Sequence, residues 1–153
     1  MKWHQKYSAL IIEIIRILFI LLFVYAAVSK LLDFQKFRVQ VGQSPILTSL
    51  GNWIIIFVPT IEILISICFM IPKLRLKAMY ASLILMTIFT TYIVFILNFS
   101  PYVPCSCGGI LDQMGWEGHL IFNLCFVLLS IIGILQLENE KTIQSLTNVT
   151  VKL

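Results

Sequence analysis

Two thiols stand one residue apart in the stretch Pro101-Tyr102-Val103-Pro104-Cys105-Ser106-Cys107-Gly108-Gly109, and Asp112, Trp116, Glu117 and His119 follow closely. Prolines before the pair and glycines after it predict a bent loop that presents both sulfurs together. Such a pair supports three chemistries. It can exchange between dithiol and disulfide, it can bind a soft metal such as Cu(I) or Zn with help from His119, or it can staple the loop. A disulfide between residues i and i+2 closes a small, strained ring, and strain makes a disulfide easier to reduce. That favours exchange. His119 near the sulfurs would favour the thiolate and serve as acid or base, with Asn123 four residues on to orient it. Cys105, Cys107 and His119 are therefore the candidate catalytic residues, with Asp112 a weaker one and Trp116 an interfacial anchor.

The elements that position this loop follow from composition. The chain has 153 residues, of which 59% are hydrophobic and 12% charged, with a mean hydropathy of +0.98. A soluble domain carries about 25% charge, so the sequence reads as an integral membrane protein. At about 20 apolar residues per helix, four spans use roughly half the chain and leave no room for a separate soluble domain. The net charge of +4 lies at helix ends and in one short turn, a distribution that sets membrane orientation and does not suggest nucleic acid.

The expected fold is all-α: a single domain, 1–153, with spans at about 7–29, 52–71, 78–99 and 119–137. The first apolar run is too long for a signal peptide, contains Glu13 and Arg16, and lacks a small-residue cleavage site. After it, Leu31, Leu32, Phe34, Phe37 and Val41 alternate with polar residues, which predicts a short amphipathic helix on the membrane surface, ended by Gly42 and Pro45. Pro72 to Lys77 forms a basic turn, and Glu138 to Leu153 reads as a polar tail.

If the amino terminus is cytoplasmic, that side receives Lys2, Lys6, Lys73, Arg75, Lys77, Lys141 and Lys152, against Lys30, Lys36 and Arg38 on the other. The bias puts both termini in the cytoplasm and the cysteine loop on the outside or in the periplasm, where disulfides form and persist.

Charges inside the spans cost about 2.5 to 3.5 kcal/mol each on insertion scales, so they should be paired. Counting about 1.5 Å per residue, Arg16 and Glu62 reach similar depths from Tyr7 and Asn52. An interhelical Arg16 to Glu62 pair is expected, with Glu13 as a third member one turn from Arg16; such a group either fixes register or serves a proton path or a polar ligand such as a quinone. Pro59 would loosen the helix beside Glu62. Cys68 and Cys125 fall at different depths, are not expected to pair, and read as small apolar residues.

The order of these features resembles the MauE and DoxX-like membrane proteins, most closely the MauE-type, redox-associated branch. The resemblance covers about residues 16–133. It is carried by Arg16, by Ala27-Val28-Ser29-Lys30-Leu31-Leu32-Asp33-Phe34, by Pro59-Thr60-Ile61-Glu62, and by Pro104 to Gly109 ahead of Trp116 and His119. It implies a role in periplasmic maturation of disulfide-containing proteins alongside a thioredoxin-like protein, and the family's namesake is linked to methylamine utilisation. Quinone-linked disulfide-forming enzymes of other families often relay electrons through two cysteine pairs; here the outer loops hold one. Direct exchange with a partner or cofactor, or a maturation and transport helper that passes no electrons, are the readings this leaves.

Overall fold

A computed structural model describes residues 2–43, 51–99 and 115–151. Five α-helices occupy them: α1 (Lys2–Leu32), α2 (Phe34–Gln43), α3 (Gly51–Met70), α4 (Arg75–Phe99) and α5 (Gly115–Val151), with a 3-10 turn at Pro72–Leu74 between α3 and α4. Four segments are long and apolar enough to cross a membrane: Tyr7–Leu32, Trp53–Met70, Pro72–Phe99 and Gly115–Ile143. The expected all-α bundle of four spans is what forms, with the short helix after the first span.

The helices pack through stripes visible in their own spacing. On α1 the buried residues are Ile12, Ile15, Phe19, Phe23 and Ala27, steps of three or four that keep one face inward. On α3 they are Ile55, Pro59, Glu62, Ile65, Ser66 and Phe69. Phe19 is fully buried where three helices meet: its ring stacks on Phe69 of α3 at 5.8 Å and meets Phe126 of α5 edge-on at 5.2 Å. Residues on the other faces, such as Leu21, Ile56, Ile84 and Leu128, are exposed, as lipid contact requires. Hydroxyls within the spans bond to carbonyls of their own helices: Ser66 to Glu62 at 2.9 Å, Ser82 to Ala78 at 2.8 Å and Thr90 to Met86 at 2.7 Å. Each thereby avoids an unpaired donor where no water is present.

Helices α4 and α5 approach closely at Gly133. A Cβ there would come 2.9 Å from the Sδ and Cε of Met79, with Ile15 at 3.5 Å behind it. A single methyl needs only the end of Met79 to move, whereas a branched side chain has α1 in its way. Gly133→Leu is expected to lower stability by about 1–3 kcal/mol, the usual cost of overpacking, and Gly133→Ala by much less. Thermal unfolding in detergent checks the ordering.

Two helix ends differ from expectation. The polar tail after Leu137 continues α5 to Val151, because Glu138, Glu140 and Lys141 are good helix formers and neither glycine nor proline interrupts them. Its start is also earlier, at Gly115, whose φ of +67° is readily adopted only by glycine; Glu117 in the first turn complements the positive helix end. Helix α3 runs unbroken through Pro59. Helix α2 follows α1 after a one-residue break at Asp33, bridged by backbone bonds Asp33 N–H to Ser29 and Phe37 N–H to Asp33. Its buried Phe37 and Val41 pack on Ile55 of α3. Pro45 lies outside the described residues.

Candidate functional site

The Lys30–Glu62 pair is the most deeply placed ion pair among the described residues. Lys30 Nζ donates to Glu62 Oε1 at 2.8 Å, to Oε2 at 3.2 Å and to the Ala26 carbonyl at 3.2 Å. Glu62 is 0% exposed, and Nζ stands 5.9 Å from the centre of the Phe37 ring, within cation–π range. Both partners sit where their helices dictate. Lys30 extends the inward stripe of α1 by three residues past Ala27, and Glu62 lies on the inward stripe of α3.

This corrects the expected Arg16 to Glu62 pair. Helices α1 and α3 do not begin and end flush: Phe19 is level with Phe69 and Lys30 with Glu62. Arg16 is therefore about 21 Å away along α1, beside the turn into α4. It pairs there with Glu13, as expected of a residue one turn away, and Glu13 also faces Arg75 Nη1 at 3.8 Å. That cluster belongs to the end of the bundle carrying both termini, where Ser8 also bonds Gln136 at 2.7 Å.

At the opposite end is a cavity of about 300 Å³. Lys30 and Glu62 line it from one side; His119 and Asn123, one turn apart on α5, line it from another. Aromatic residues supply much of its wall, among them Phe37, Phe89, Tyr92, Trp116 and Phe122. The expected sharing of a face by His119 and Asn123 is present. The orienting bond is not made through the atoms in question: His119 Nδ1 and Asn123 Nδ2 are both buried without a hydrogen-bond partner among the described residues.

Cys105, Cys107 and Asp112 lie outside the described residues. Their segment joins Phe99 to Gly115, and both of those flanking residues belong to helix ends on the cavity side of the bundle. Cys68 and Cys125 are free thiols, half-buried and exposed respectively. Among the described residues no three His, Cys, Asp or Glu side chains gather closely enough to hold a metal ion.

The residue missed from sequence is Lys30. Its signal was its position three residues after Ala27 on the same stripe. Two of the stretches quoted above, Ala27 to Phe34 and Pro59 to Glu62, meet at this cavity, and Arg16 does not.

Fold and site together define a multi-pass membrane protein with the Lys30–Glu62 pair, His119 and Asn123 lining a cavity near one end of a four-span bundle. The family model described as "Methylamine utilisation protein MauE" matches residues 8–136, and the chain belongs to the MauE family. Comparison with curated proteins and with solved structures returns no match.

Proposed function

We propose that this protein supports thiol–disulfide chemistry on the periplasmic side of a bacterial inner membrane, in the maturation of disulfide-containing proteins. Cys105 and Cys107 cycle between dithiol and disulfide with a thioredoxin-like partner. A thiolate of one attacks the partner's disulfide, a mixed disulfide forms as the partner's first sulfur leaves, and the second cysteine displaces the remaining sulfur. The pair becomes a disulfide and the partner a dithiol, with two electrons passed; the reverse direction uses the same steps.

The observation that carries this reading is the position of Cys105-Ser106-Cys107 in the chain. In the chain the motif falls between α4 and α5, and both helices contribute residues to the cavity holding Lys30, Glu62 and His119. Membership of the MauE family agrees with a maturation role in methylamine utilisation. His119 follows Trp116 by three residues on the cavity wall and would supply or accept the proton during exchange.

Mixed-disulfide capture tests the proposal. Cys105→Ser and Cys107→Ser, each co-expressed with a thioredoxin-like protein that keeps its own disulfide, are expected to differ. The variant that retains the attacking sulfur accumulates a reductant-sensitive adduct. No adduct from either variant contradicts the reading.

A further inference from the structure

We infer that the cavity lined by all five helices binds a quinone ring. The inference concerns binding and stands whether or not Cys105 and Cys107 exchange. Four observations narrow the ligand to that class.

The first is charge. Lys30, Lys36, Asp33 and Glu62 all line the cavity, two cations against two carboxylates, and Lys30 is already held by Glu62. A carboxylate or phosphate ligand would bring a net charge that nothing there balances, so the occupant is neutral.

The second is an unmet hydrogen bond. Asn123 is 3% exposed, lines the cavity and leaves Nδ2 unpartnered, and His119 Nδ1 on the same face is also unpartnered. A buried donor left unmade costs about 1–3 kcal/mol, which a ligand carrying acceptor oxygens would recover. Quinone carbonyls are such acceptors.

The third is shape and wall chemistry. Cavities of about 150 Å³ admit a benzene ring, so about 300 Å³ holds a substituted one. Phe37, Phe89, Tyr92, Trp116 and Phe122 offer faces and edges for a planar π-system.

The fourth is access. Tyr25 and Ile88 border the cavity and are 39% and 57% exposed, so the space opens to the outside of the bundle, where the solvent of these apolar helices is lipid. A quinone is dissolved in that phase and needs no aqueous route. Fatty acids share the route but bring a carboxylate.

Tryptophan fluorescence of the full chain in nanodiscs tests this, with Trp3 and Trp53 replaced by phenylalanine so that Trp116 reports alone. Titration with a short-chain ubiquinone analogue is expected to quench the signal saturably at a one-to-one ratio. Asn123→Leu, and separately His119→Leu, should raise the apparent Kd at least tenfold, while Cys105→Ser with Cys107→Ser leaves it unchanged. Quenching that rises linearly with membrane quinone, equal displacement by oleate, or unchanged affinity in both α5 variants overturns the inference. A loss of quenching confined to the cysteine variant would equally overturn it.

Discussion

Glu62→Ala is expected to destabilise the bundle by about 3–5 kcal/mol, the range for breaking one side of a buried ion pair. The reason is what remains. Lys30 lies 14% exposed on the inward stripe of α1, and without the carboxylate its ammonium keeps only the Ala26 carbonyl and the face of Phe37. The charge is then left without a carboxylate partner in a largely buried position. Glu62→Gln keeps an acceptor and should cost less. Lys30→Met combined with Glu62→Leu removes both charges and should recover most of the loss, because a well-packed apolar pair is often as stable as the ion pair it replaces. Thermal unfolding of the four proteins in one detergent gives the cycle. A double variant as damaged as the sum of the single ones would show that the residues act separately, against the 2.8 Å contact.

Replacing Cys105 and Cys107 together by serine should reduce client disulfide maturation to the level of cells lacking the protein, with the unfolding temperature unchanged. The size of the effect follows from the chemistry: a hydroxyl cannot form a disulfide, so no residual exchange is available. Either single replacement should be as severe for turnover, since attack and resolution each need a sulfur. The unfolding temperature is the control that separates chemistry from stapling. A loop held by a permanent disulfide would lose stability in the variant, whereas an exchanging pair would not. Normal maturation in the serine variant leaves the membrane scaffold and removes the redox role.

Much of the scaffold was legible from sequence because lipid imposes one dominant rule, about 20 apolar residues per crossing, and four such runs stand in the chain. Helix ends were less so. Charged residues after Leu137 mark the expected edge of an apolar span, but they do not break a helix, and α5 continues. The ion pair departs from the sequence expectation for the same reason: span edges do not share a common plane, and α1 extends past the α3–α4 turn so that Glu13 and Arg16 lie near Arg75. The three- and four-residue stripe on α1 held the correct partner, since it runs through Ala27 to Lys30. The cavity was not legible, because it depends on where Asn123, Tyr92 and Phe37 converge from three helices and no single segment encodes that. The cysteine motif was the plainest feature of the sequence, and it stands in the connection just beyond the described helix ends.

The most direct measurement is thiol trapping in intact cells with a membrane-impermeant maleimide, in a protein carrying Cys68→Ala and Cys125→Ala so that only Cys105 and Cys107 report. The account predicts that both sulfurs are labelled without lysis after mild reduction, and that the labelled fraction changes as the external thiol–disulfide potential is varied. Labelling only after lysis, or one fixed state at every potential, would contradict it.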